Sequence, residues 1–182
     1  ADNATCEQLK KYTRKYGCPP SLRAIVWLTM TKVACKVEEH QPQGYGAMLE
    51  KAMPADKVIP ELTRQSIEQD LDRTFPEHPY FRKNAEGHRK LRWVLHNLFR
   101  RSPINGYCQS YNFIAATFLL VLGGDVEATL WLILLTFETL IPNDYYNSQL
   151  DGVKIDQRVL EDLIHLHIPI ISHNFKRILF ES

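Results

Sequence analysis

Apolar residues along this chain recur at three- and four-residue intervals rather than at every second position, which predicts an all-α protein. Thr5 and Gln8 have capping-box spacing and open a short helix that Gly17 closes. Pro19-Pro20-Ser21 signals the next start, with Ser21 as N-cap, and Leu22, Ile25, Val26, Val33 and Val37 carry that helix to about Glu38. Arg23 and Trp27 lie one turn apart on it, spaced to stack on each other or to bracket a loop. His40 to Gly46 is a turn-rich connector, and Met48 to Met53 gives a weak helical turn. Pro60 begins a helix whose end reads SIEQDLDRTFP, from Ser66 to Pro76. Ile67 and Leu71 face a core, Asp70 and Arg73 sit three apart on an adjoining face, and Thr74 to Pro76 breaks the helix.

A polar loop follows from Glu77 to Gly87, then a helix from His88 to Arg101 with Leu91, Val94, Leu95 and Leu98 in one stripe. Its other face carries Arg89, Lys90, Arg92, Arg100 and Arg101. After a loop from Ser102 to Gly106, a helix opens near Tyr107, polar at first and then apolar almost all round, which predicts a central core element. Asp125 caps a second buried helix, Val126 to Leu140. Beyond a short aromatic turn, an amphipathic helix runs from about Asp156 to His167 with Val159, Leu160, Leu163, Ile164 and Leu166. A last helix carries Phe175, Ile178 and Leu179, whose apolar side chains have no later element to cover them. A single domain over residues 1–182, incomplete at its C-terminal end, is the expectation.

Composition narrows the class. With 182 residues, 45% hydrophobic and 24% charged, the chain suits one domain with a sizeable core. A net charge of +1 gives no global attraction to nucleic acid or an acidic membrane, and the basic helix face lacks aromatic platforms, so it reads as a solvated surface. Cys6, Cys18, Cys35 and Cys108 have no metal-binding or redox spacing and are expected as buried free thiols. His165 and His167 point to different helix faces, so no metal site is expected. The polar opening ADNATCEQLKKYTRKYG does not read as a signal peptide, and the apolar run from Phe113 to Phe137 is broken by Gly123-Gly124 and two acids, too short for a membrane span. A cytoplasmic protein is the expectation.

No nucleophile–base motif and no phosphate-cradling loop is present. Two flat-ended polar side chains remain, Arg73 and Gln109, each at a helix edge beside a loop. Singly, they read as a surface ion pair with Asp70 and as a rim amide. Jointly, they suit phosphoryl transfer to water, in which a cation stabilises charge on the transferring oxygens and a carboxamide holds the water in line.

Three short stretches resemble one family. SLRAIVW, with Arg23 and Trp27, is similar to the RxxxW motif of the TBC domain. IEQDLDR matches its IxxDxxR motif at Ile67, Asp70 and Arg73, and GYCQ matches its YxQ motif at Tyr107 and Gln109. The resemblance runs from about Pro19 to Leu163 and implies an irregular multi-helix fold that activates Rab GTPases in trans. It implies Arg73 as arginine finger, Gln109 as the group orienting water, Asp70 positioning Arg73, and Arg23, Trp27, Ile67 and Tyr107 in support. The partner would be a GTP-bound Rab carrying the GTP and magnesium, with no cofactor in this chain, no reaction of its own, and no membrane contact except through partners at endomembranes. Ser110 and Tyr111 depart from the glycine and methionine common after YxQ, and the family domain continues with further helices. The alternative is a TBC-like scaffold that binds a GTPase without activating it.

Overall fold

The computed structural model describes residues 3–31, 59–101, 107–142, 144–147, 149–171 and 174. Every regular element among them is helical, as the periodicity requires. Two compact units divide the chain, Ala1–Leu140 and Ile141–Ser182. In the first, α1 spans Asn3–Tyr16, α2 Pro20–Thr31, α3 Glu61–Arg73, α4 Glu86–Arg101, α5 Tyr111–Val121 and α6 Val126–Leu135. A 3-10 turn lies at Pro79–Phe81 and a π-helical turn at Thr136–Leu140. None of the helices among the described residues is long and apolar enough to cross a membrane.

Several helix starts differ from the sequence expectation. α1 begins at Asn3, so Thr5 lies inside the helix rather than capping it. α2 begins at Pro20, which places Ser21 inside as well; proline at the first helical position lacks only an N–H that a helix leaves unpaired there. Leu22 and Ile25 are exposed, and α2 instead turns Trp27 toward Phe118 of α5, ring edge to ring face at 5.8 Å. Val33, Val37, the His40 to Gly46 connector and the Met48 to Met53 turn lie outside the described residues. So do the Ser102 to Gly106 loop and the helix carrying Phe175, Ile178 and Leu179. Cys18 and Cys108 are free but half-buried, not core thiols, while the side chains of Cys6 and Cys35 fall outside the described part.

The core centres on α4 and α6. Leu91, Val94, Leu95 and Leu98 form the buried stripe of α4, and α6 buries every residue from Ala128 to Leu134. Asp125 caps α6 as its spacing predicts, its Oδ1 accepting from the Ala128 N–H at 3.0 Å. α5 packs against α2, α3, α4 and α6, as a central element should, but it is not buried all round. Ala115, Ala116 and Leu119 face inward, while Phe113 and Leu120 are exposed. Its end turns through Gly123 and Gly124, both at positive φ, and the Gly124 N–H reaches the Leu119 carbonyl at 2.7 Å. A Cβ on Gly124 would collide with the Tyr80 hydroxyl, so the stretch between α3 and α4 packs under this corner. Phe81 buries itself from that stretch, which is therefore an anchored connection rather than a loose polar loop.

α3 is held to α4 by a forked ion pair, Arg92 Nε and Nη2 donating to the two Glu68 carboxylate oxygens at 2.6 and 2.8 Å. Lys90 meets Glu86 at 2.7 Å and Arg89 donates to the Asn84 carbonyl at 2.6 Å. Much of the basic face of α4 is thus spent within the chain. In the second unit α7 spans Asp151–His167, five residues longer at its start than the apolar pattern indicated. Asn147 explains the extension: its Oδ1 accepts from the Gln149 and Asp151 N–H groups at 3.1 Å each. Gly152 inside the helix leaves room for Tyr145, with which a Cβ would collide. Val159, Leu160, Leu163 and Leu166 of α7 are exposed rather than buried.

The α3–α4 seam makes stability depend on pH. Burial holds the His96 imidazole below its ordinary pKa, with Arg100, Arg92 and Arg64 adding to the effect and Glu68 opposing it. The Arg92 hydrogen bonds hold the Glu68 carboxyl below the ordinary glutamate value. Both groups bind more protons unfolded than folded within their windows, so each stabilises the fold at higher pH and loses that contribution as pH falls. The expected result is a decline in urea midpoint as pH drops below about 6.5, where free histidine titrates, and a further decline in the carboxylate range. His96→Gln flattens the first limb and leaves the second.

Candidate functional site

Asp70 is the least expected residue of α3. It falls on the helix stripe formed by Ile67, Leu71 and Thr74, and it is buried to 2% exposure. Sequence spacing put it on an adjoining face; the fold puts it on the inward one. A carboxylate in that position requires partners. Its Oδ1 accepts a hydrogen bond from Arg73 Nη2, and its Oδ2 accepts one from the Tyr107 hydroxyl at 2.6 Å. Burial first, and then donation to Asp70, push the Tyr107 phenol well above the usual tyrosine range, so it stays a neutral donor. One buried anion therefore ties the last turn of α3 to the segment that leads into α5.

Arg73 itself is half in solvent, its side chain 51% exposed, so the Asp70 pair is neither a free surface pair nor a buried one. Thr74 ends α3 as its C-cap, with its N–H on the Leu71 carbonyl at 3.2 Å. Phe75 then takes φ +44 and Pro76 cannot continue the helix, so Arg73 stands at the rim. The Phe75 ring packs edge-on against Phe113 of α5 at 5.5 Å.

Gln109 is exposed and precedes α5, which starts at Tyr111 rather than near Tyr107. Residues 108–111 form a turn closed by the Tyr111 N–H on the Cys108 carbonyl at 3.2 Å. Ser110 is the N-cap with φ +94 and ψ −19, a region that favours glycine, and its side chain makes no capping bond. Ser110 thus occupies a strained position at which a glycine would be relaxed. Tyr111 is buried, edge-on to Tyr107 at 6.1 Å and stacked on Phe137 of the π-helical turn at 4.5 Å. Its bulk goes into the core behind the turn, not onto the surface in front of it.

Arg73 and Gln109 line one open groove of about 470 Å³ with Asp70, Tyr107, Leu62, Thr63, Ser66 and Gln69. The rest of the sequence-predicted set lies elsewhere. Ile67 is wholly buried beneath the groove. Arg23 donates through Nε to the Cys18 carbonyl at 3.1 Å, tying the start of α2 to the chain before it, and Trp27 faces Phe118. Arg23 and Trp27 do not bracket a loop of this groove. Sequence reading missed Ser66 and Gln69, although residues one and two turns before Arg73 must share its side of the helix. It also missed Asn112, a fully buried amide in register with Ala115, Ala116 and Leu119. A polar residue standing in an apolar stripe was the available signal in both Asp70 and Asn112.

The groove presents the Arg73 guanidinium beside the Gln69 and Gln109 carboxamides and the Thr63, Ser66 and Tyr107 hydroxyls. The Rab-GTPase-TBC domain family matches residues 20–182, and the chain belongs to that family. It is 32% identical over 179 residues to TBC1 domain family member 2B of Xenopus tropicalis, covering 90% of this chain and 18% of that protein. Growth hormone-regulated TBC protein 1-A of Danio rerio is 34% identical over 168 residues, covering 90% of this chain and 44% of the relative. A solved structure described as the Chlamydomonas flagellar RabGAP TBC domain superposes with a TM-score of 0.69 at 25% identity, over 97% of this chain and 54% of that one. The chain spans less than half the length of these two curated relatives.

Replacing Ser110 by glycine removes the left-handed strain at the turn. Ser110→Gly is expected to stabilise the protein by about 1 kcal/mol in urea unfolding, the usual scale for a non-glycine residue relieved at positive φ.

Proposed function

We propose that this chain activates Rab GTPases, entering the GTP-bound partner's site with Arg73 and Gln109. The observation that carries the reading is the shared use of the Asp70 carboxylate. Through Arg73 and through Tyr107, two residues before Gln109, it links the two side chains and brings both to one groove. The family membership, and a relative whose description names a RabGAP, support the same reading.

In this reading the GTP and magnesium are carried by the partner, and the chain itself holds no cofactor and performs no reaction alone. Hydrolysis of GTP forms a bond from a water oxygen to the γ-phosphorus and breaks the bond to the β–γ bridging oxygen. Negative charge spreads over the phosphoryl oxygens as this happens. The Arg73 guanidinium carries five N–H donors in a fork; one is committed to Asp70, and four are left to meet that charge. Gln109 accepts from the attacking water through its carbonyl and donates through its amide, which fixes the water in line. Asp70 fixes the direction of the arginine, and neutral Tyr107 fixes the turn that carries the glutamine. Ile67, Arg23 and Trp27 support the fold around them. The chain reaches endomembranes from the cytoplasm by way of its GTPase.

The test is phosphate release from a panel of GTP-loaded Rabs. At least one Rab is expected to respond to the parent chain, and Arg73→Ala and Arg73→Lys are each expected to lower the stimulated rate by about 10³-fold or more. Gln109→Ala lowers it steeply with the helical content unchanged. Retention of full stimulation by all three variants would sink the two-residue assignment. Binding of GTP-loaded Rabs with no acceleration anywhere in the panel would make the chain a GTPase-binding scaffold instead.

A further inference from the structure

Behind the groove, α5 reaches across to the end of α3 with a single side chain. Asn112, fully buried in the first turn of α5, donates through Nδ2 to the Thr74 hydroxyl at 2.7 Å and to the Asp70 backbone carbonyl at 3.4 Å. The Thr74 hydroxyl in turn donates to the same Asp70 carbonyl at 2.5 Å. This orders the three groups. Thr74 gives its one proton to Asp70 and can only accept from Asn112, so the amide must present its nitrogen to α3. Asn112 Oδ1 then points away, buried and without a hydrogen-bond partner among the described residues. A buried amide that leaves its oxygen unsatisfied is retained against a free-energy cost, which points to a task for its nitrogen.

We propose that Asn112 is a positioning residue for Arg73. Asp70 holds the guanidinium from its side chain, while Asn112 and Thr74 hold the backbone of Asp70 itself. The rigid first turn of α5 starts two residues after Gln109, so the same bracket fixes the separation between the arginine and the glutamine. Asn112 touches neither nucleotide nor water in this arrangement and acts only through Arg73 and its helix end. The inference rests on the reading of Arg73 and Gln109 as the two inserted groups.

The test pairs kinetics with a measurement that needs no GTPase. With a responsive Rab, Asn112→Ala is expected to lower the maximal stimulated rate by about 10- to 100-fold, the scale of a misplacement near 1 Å. Affinity for the GTP-loaded Rab should change by less than about 2-fold, since ground-state docking does not use the bracket. In an Arg73→Ala background the same substitution should add almost nothing, because its effect passes through the arginine. Thr74→Ser keeps the hydroxyl and should retain the parent rate within about 2-fold, whereas Thr74→Val should fall as Asn112→Ala does. In parallel, nitrogen relaxation of the Arg73 side-chain Nε in the parent and in Asn112→Ala reports the order of the guanidinium directly. A loss of order supports the proposal even if no Rab responds, an outcome that would instead refute the activating function. Unchanged Arg73 order, or an equal rate loss with and without Arg73, overturns it.

Discussion

A single buried carboxylate organises this half of the fold. Asp70 lies where the stripe of α3 calls for an apolar side chain, and a charge there persists only because Arg73 and Tyr107 both donate to it. The consequence is geometric before it is energetic. Two segments far apart in sequence must meet at one pair of oxygens, so the end of α3 and the approach to α5 cannot shift independently. The neutral phenol matters as much as the cation. Tyr107 satisfies the inner oxygen without adding charge, which leaves Arg73 half in water, with most of its fork available to a partner.

The surroundings divide the labour. α4 and α6 supply the apolar mass, and their stripes were legible from spacing alone: Leu91, Val94, Leu95 and Leu98 are buried as the pattern required. The α3–α4 fork between Glu68 and Arg92 aligns the helix that carries Asp70 without touching the groove. Family membership over residues 20–182 and the helical architecture agree with the resemblance carried by the short motifs. The Arg23 and Trp27 motif marks a different part of the fold: Arg23 ties the start of α2 to Cys18, and Trp27 meets Phe118 of α5.

What sequence left hidden follows from what periodicity measures. A hydrophobic pattern separates wet from dry faces, and it misfiles a polar residue that a dry face accommodates. Asp70 was assigned to the neighbouring face for that reason, and Asn112 went unremarked at the head of an apolar helix. Helix starts were similarly obscured where capping came from outside the expected residue. Asn147 caps α7 from four residues ahead of Asp151, and the proline at the head of α2 displaced the serine that propensity favoured. α5 is central but not dry all round: exposed Phe113 and Leu120 show that an apolar composition does not set the depth of each position. Ser110 stands where the resembling motif commonly has glycine, a departure whose physical meaning, a left-handed backbone, emerges only when the turn before α5 is closed.

The π-helical turn at Thr136–Leu140 bears on how such a site can arise. A π turn is what an α-helix becomes when it accommodates one residue more than its ladder can hold, and every side chain after it is rotated by about 100°. Phe137 lies within that widened turn, stacked on Tyr111 behind the glutamine. The helix that carries Phe137 ends in that widened turn, so the ring standing behind the Gln109 turn is held at a helix terminus. What backs the glutamine is thus a stacked pair of rings at the place where a ladder runs out, and its register is set by the wide turn rather than by the regular helix before it.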